Sequence, residues 1–229
     1  MKARIALKVL SLAVVFLLLS VAGRADVLVG GNPNGGNYYP FGANNVYGPA
    51  TTYQQVYAAS NFSAPLTITG LQFFDTLHPG GDFNGGTFTI SLSTTSAQVD
   101  ALDTTNFANN IGLNDQAFAT VTLTGTAPSI LTISGTPFFY DPSQGNLLVN
   151  MLVTGNSLFG GVGFDAYNGG ANGIFSRAHD FGSEFAGWGL ETNFVTESAV
   201  TPEPSSILLA GTGLAALVRA MRRRRTAQR

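Results

Sequence analysis

The residues able to do chemistry in this 229-residue chain are mostly carboxylates and amides set in glycine-rich loops. The stretch His78-Pro79-Gly80-Gly81-Asp82-Phe83-Asn84-Gly85-Gly86 puts carboxylate and amide oxygens on one turn-rich loop, with Asp75 close by. Calcium takes about 6–8 such oxygens, backbone carbonyls included. Asp165 is a further candidate. It lies in Gly160-Gly161-Val162-Gly163-Phe164-Asp165-Ala166-Tyr167-Asn168, a single match to the calcium-binding β-roll nonapeptide. In a β-roll each turn completes its neighbour's ligand set, so one copy makes no roll. Asp75, Asp82, Asn84 and Asp165 therefore stand as candidate ligands of a structural calcium, against the plainer reading of turn-rich loops. No other cofactor is expected.

Catalysis finds little to work with. The absence of cysteine removes disulfides, thiolate metal sites and a cysteine nucleophile. The histidines are His78 and His179, and neither a G-x-S-x-G elbow nor an H-E-x-x-H pair occurs. His179 and Asp180 are sequence neighbours, a poor geometry for one to orient the other. Two carboxylates across a cleft would make a glycosidase, but acids scattered through loops single out no pair. A non-catalytic domain is expected, with a polysaccharide-acting enzyme as the remote alternative.

Aromatic residues offer binding chemistry instead. Tyr38, Tyr39, Phe41, Tyr47, Tyr53 and Tyr57 crowd the N-terminal part, and Trp188 is the sole tryptophan. Sugar rings stack on exposed aromatic faces, so Tyr53, Tyr57 and Trp188 are candidate ligand-binding residues of a carbohydrate-binding module. The competing expectation is that these rings fill the core.

Charge is distributed unevenly. Of eleven Lys and Arg, four lie in the first 24 residues and six between Arg219 and the end, leaving Arg177 alone in residues 26–200. Twelve carboxylates face it, for a net charge of −11 in that segment with histidine neutral. Such a domain is a poor partner for nucleic acid or anionic membranes. The acidity could serve cation binding, but solubility outside the cell is the favoured account of it.

The elements that must position these residues read as β throughout, punctuated by Gly and Pro. Phe88, Ile90 and Leu92 alternate with Thr87, Thr89 and Ser91. Leu66 and Ile68 alternate likewise, and Gly70 shifts the phase before Leu71 and Phe73, which predicts a bulge. Ala119, Val121 and Leu123 form another run. Leu131 and Ile133 predict a strand ended by Gly135. Residues 147–153 are apolar on both faces apart from Asn150, which predicts a central strand. Further strands are expected over 52–58, 161–166, 173–177 and 188–195, with a short helix over 98–110 the one exception. Some nine or ten strands with frequent turns predict an antiparallel β-sandwich or jelly roll. In Phe139-Tyr140-Asp141-Pro142-Ser143-Gln144-Gly145-Asn146-Leu147-Leu148, Pro142 and Gly145 predict a tight turn inside a core hairpin. The segment is similar to a hairpin recurring in exported β-sandwich domains.

Both ends of the chain are of a different kind. Residues 1–25 read as a secretory signal peptide: Lys2, Arg4 and Lys8, then an apolar region 14 residues long over 9–22, then Gly23-Arg24-Ala25 with cleavage expected after Ala25. At the other end, Pro202-Glu203-Pro204 is stiff and extended. An apolar run over 205–221 and the block Arg222, Arg223, Arg224 and Arg225 come next. As a helix of ~1.5 Å per residue the run reaches about 26 Å, against a hydrocarbon core of about 30 Å. Arg219 and two glycines weaken it further. It reads as a weak transmembrane anchor, oriented by the Arg block with its C-terminus in the cytoplasm.

In that order the tail, about an eighth of the chain, resembles the PEP-CTERM sorting signal of Gram-negative bacteria that make exopolysaccharide. The resemblance implies that Pro202, Glu203 and Pro204 are the recognition signal of an exosortase, a transpeptidase-like membrane enzyme. This chain is then the substrate. Expected partners are that exosortase, signal peptidase, the membrane before processing, and exopolysaccharide, with no role for nucleic acid. The expected protein is a structural or adhesive component of the cell surface or biofilm matrix: signal peptide 1–25, β-sandwich domain 26–200, sorting signal 201–229. The plain alternative is an ordinary single-pass anchor.

Overall fold

Strand formation arises from the alternation of apolar and polar residues, which leaves each strand one face to bury. The computed structural model describes residues 25–42, 50–155, 161–179 and 183–197. The expected signal peptide up to Arg24, the sorting signal over 201–229, Tyr47 and Gly160 lie outside the described residues. Among those described, thirteen strands occur in chain order: β1 (Val27–Val29), β2 (Gly35–Asn37), β3 (Ala50–Tyr57), β4 (Leu66–Phe74), β5 (Asp82–Thr95), β6 (Gln116–Thr126), β7 (Ile130–Tyr140), β8 (Asn146–Thr154), β9 (Phe164–Asn168), β10 (Phe175–His179), β11 (Ser183–Ala186), β12 (Trp188–Leu190) and β13 (Thr192–Thr196). They pair antiparallel into three sheets. One runs β1-β13-β4-β7, a larger one β11-β10-β3-β8-β5-β6, and a small one β12-β9-β2. No described helix is long and apolar enough to cross a membrane.

The two larger sheets face each other across one core. Tyr57 of β3 meets Phe194 of β13 edge-on at 4.9 Å, and its hydroxyl lies 2.7 Å from Thr192 Oγ1. Phe41 packs at the junction of all three sheets, with Phe73 at 4.9 Å, Phe88 at 5.1 Å and Phe164 at 5.0 Å. Each buried ring contributes about 1.5–3 kcal/mol. At one side β6 and β7 close together and curl the sheets into a half-barrel. Gly135 makes that approach possible, since a Cβ there would sit 2.5 Å from the Phe118 ring.

The structure confirms several expected elements and corrects others. A bulge does occur around Gly70, where β4 slips register against both β7 and β13. β8 is central, between β3 and β5. Its outer face is apolar because Leu148, with Val56, Leu102 and Ala178, forms a second small core under the 96–114 excursion. That excursion holds no α-helix, only a 3-10 turn over Phe107–Asn110. Gln54, Asn110 and Asp103 hold it by side-chain bonds to its own backbone, which compete with helix formation. Gly135 does not end β7 but sits in its bulge, and the strand runs on to Tyr140. The expected hairpin at Pro142 is a corner instead. β7 and β8 belong to different sheets, joined by the 3-10 turn Pro142–Gln144. Finally, 188–195 is two strands in two sheets, broken at Glu191.

Candidate functional site

β10 reads Phe175-Ser176-Arg177-Ala178-His179, and all five residues are buried. Alternation puts Phe175, Arg177 and His179 on the inner face and Ser176 and Ala178 on the outer one. In register, Arg177 lies opposite Gln55 of β3 and Phe185 of β11. Thus the one cation of residues 26–200 is carried inward, and it is 3% exposed.

The rings around it form a ladder. Tyr39 stacks on His179 at 4.4 Å and 8°, His179 stacks on Phe185 at 5.2 Å and 24°, and Phe185 lies tilted against Trp188 at 5.3 Å and 31°. The guanidinium carbon lies 5.0 Å from the Phe185 ring centre, 5.4 Å from Trp188 and 6.0 Å from Tyr39. Each such contact contributes about 0.5–2 kcal/mol. Desolvation of a buried ion costs several kcal/mol when nothing pairs with it. Arg177 Nε and Nη1 are buried with no hydrogen-bond partner. Burial lowers the Arg177 pKa, and the groups opposing that shift are Tyr53 and Tyr39, not carboxylates. Among the described residues the carboxylate nearest in register, Glu184, is turned to the outer face, where its Oε1 accepts from Leu102 N–H and Ser176 Oγ at 2.9 Å each. His179 stays neutral at physiological pH, because burial and then the Arg177 charge push its pKa down to about 4.

A neutral scaffold fixes this corner. Gln55 Nε2 donates to the Leu190 carbonyl at 2.9 Å, and its Oε1 accepts from Leu190 N–H at 2.9 Å and from the Tyr53 hydroxyl at 2.6 Å. Gly189 lets β12 come close, since a Cβ there would sit 2.6 Å from the Phe175 ring. Asn37 Oδ1 accepts from Tyr39 N–H at 3.1 Å, while Asn37 Nδ2 is buried without a partner.

The sequence-predicted candidates fall in other places. Tyr53 and Tyr57 are each 1% exposed and belong to the core, so neither offers a face to a ligand. Trp188 is half-buried on the ladder. Asp75 and Asp165 come together. Asp165 accepts from Thr76 N–H, Thr76 Oγ1 and Leu77 N–H, which uses both its oxygens. Asp75 Oδ2 faces Gly80 N–H at 3.4 Å and its Oδ1 is buried unpaired. Glu191, overlooked in the sequence, is buried with Oε2 unpaired. Burial, with a secondary push from Asp165, raises the pKa values of both Asp75 and Glu191. Asp82 is exposed and accepts from Thr126 Oγ1 at 2.8 Å, so it serves the β5–β6 pairing. The Asn84 side chain lies outside the described residues. Among the described residues no group of three or more His, Asp or Glu is arranged to hold a metal ion. Ala25 lies two residues before the first strand, with Asp26 between them.

Sequence reasoning also missed the grouping of Arg177 with Tyr39, His179 and Phe185. The signal was available: a lone cation in an apolar, alternating strand must either be paired or serve a ligand.

The class of the protein is decided by its C-terminal segment. Residues 200–225 match the family model of the PEP-CTERM protein-sorting motif. The chain therefore carries a PEP-CTERM protein-sorting motif, which indicates an exported protein sorted through the membrane and implies processing by an exosortase. No curated protein and no solved structure matches it.

Proposed function

We propose that this protein is an exported, exosortase-processed component of the cell surface or extracellular matrix, with a non-catalytic structural or adhesive role alongside exopolysaccharide. A signal peptide is removed after Ala25, and the apolar run over 205–221 anchors the chain transiently in the inner membrane. The exosortase then cuts near Pro202, Glu203 and Pro204 while Arg222, Arg223, Arg224 and Arg225 hold the tail in the cytoplasm. The exposed product is a compact β-sandwich. The observation that carries this reading is the sorting motif over 200–225. The intact mass of the protein recovered from its host, with and without the exosortase, tests the reading. A chain running from Asp26 to the Pro202–Pro204 region only when the enzyme is present supports it. A chain keeping Arg222 in both strains makes the tail a plain anchor and overturns it.

A second reading, a carbohydrate-binding module, is favoured by one observation, the half-buried Trp188 tilted against Phe185 beside Arg177.

A further inference from the structure

We infer that Arg177, in the ring ladder of Tyr39, His179, Phe185 and Trp188, is the anion-binding residue of a site for a single carboxylate carried on a sugar ring. In its choice of a sugar the inference rests on the carbohydrate-binding reading above; in its choice of an anion it does not.

Arg177 meets aromatic faces but, among the described residues, no carboxylate opposes the burial of its charge. Its Nε and Nη1 are buried donors without partners. Twelve carboxylates lie in the same 175 residues, yet among the described residues the nearest in register, Glu184, is spent on Leu102 and Ser176. A fold that needed only a spacer under Trp188 would gain more from a hydrocarbon side chain, which has no desolvation cost. An unpaired guanidinium is the chemistry that recognises a carboxylate, with charge-assisted hydrogen bonds from a planar set of donors.

The surroundings narrow the ligand. Tyr39, Phe185 and Trp188 are each partly exposed and form the rim of the site. Their faces suit the C–H face of a sugar ring better than a fully hydrated inorganic ion. Asn37 Nδ2, a second buried donor without a partner, lies at the Tyr39 end and suits a hydroxyl. His179 is neutral, so the site carries one positive charge. The net −11 of residues 26–200 repels a densely charged polyanion and favours a body with isolated acid groups.

The sole tryptophan lies 5.4 Å from the guanidinium carbon and reports the site by its fluorescence. The full purified protein is titrated with glucuronate, with glucose and acetate as controls, and compared with Arg177→Met. Expected is a saturable change with glucuronate, none with glucose, a weaker one with acetate, and about tenfold or greater loss of affinity in Arg177→Met. The thermal midpoint of Arg177→Met should equal or exceed that of the parent, which a purely structural cation–π role would not allow. If Arg177→Met does not fold, Arg177→Lys takes its place, and weaker glucuronate binding on an unchanged fold is then expected. No response of the folded parent to glucuronate, or a response that survives in the variant, overturns the site. Equal affinity for acetate and glucuronate overturns the sugar. None of these outcomes depends on where the tail is cut, so failure here and failure of the sorting reading are separable.

Discussion

The side-chain amide of Gln55 pairs with the main chain of Leu190 as a neighbouring strand would, donating to its carbonyl and accepting from its N–H at 2.9 Å each. This one side chain bonds the six-stranded sheet to the three-stranded one. Gln55→Met keeps the volume and strands the Leu190 N–H and the Tyr53 hydroxyl in a buried place, while the Leu190 carbonyl keeps the Thr192 hydroxyl as a donor at 3.2 Å. Each unsatisfied group costs about 1–3 kcal/mol, so the variant should lose about 2–4 kcal/mol in urea unfolding after partial relaxation.

His179 gives the fold an acid-sensitive limb. Its pKa is depressed in the folded state to about 4, so the unfolded chain binds the extra proton first. The contribution is fully present above the unfolded value of about 6.5 and is lost as pH falls from there to about 4, by roughly 2–3 kcal/mol. His179→Phe keeps the stack and should flatten that limb, as read by thermal midpoints across the range.

Asp75 and Glu191 act in the opposite sense. Burial raises their pKa values, so each is stabilising when protonated and loses that contribution as pH rises through its folded value. Asp75→Asn and Glu191→Gln should each raise the thermal midpoint at pH 7 by a few degrees, about 0.5–1 kcal/mol. The gain should shrink toward acid pH. Millimolar calcium should leave these differences unchanged, whereas calcium held on Asp75 and Asp165 would make the parent the more stable protein.

Gly145 closes the corner between β7 and β8 with φ at +144°, and a Cβ there would sit 2.5 Å from the Thr95 carbonyl oxygen. Gly145→Ala should cost about 1–3 kcal/mol from this backbone strain and clash. Gly80→Ala also has positive φ, but nothing lies within 4 Å of the added carbon. The difference between the two midpoints measures the clash alone.

Much of the sheet was legible because period-2 alternation is local. Phe88, Ile90 and Leu92 announced β5, and the phase shift at Gly70 announced its bulge. What stayed hidden depended on partners distant in sequence. The strands flanking the Pro142 corner look like a hairpin, yet they pair with β4 on one side and with β3 and β5 on the other. Residues 188–195 look continuous, but Glu191 hands the chain from one sheet to the next. For the site, the lone cation was visible in composition, while its ladder draws Tyr39, His179 and Trp188 from three separate segments. Tyr53 and Tyr57 read as possible platforms because sequence does not say which face of β3 is covered.

The first strand of the domain is paired with the last. β1 runs beside β13 with Val27 opposite Phe194, and Asp26 Oδ1 accepts from Thr196 N–H at 3.0 Å. β13 in turn sits between β1 and β4, inside its sheet. A chain threading outward from its N-terminus therefore cannot complete this sheet until nearly its last described residue has emerged. Closure of this sheet thus waits on contacts between the two ends of the described domain, the kind of long-range pairing that forms late in folding.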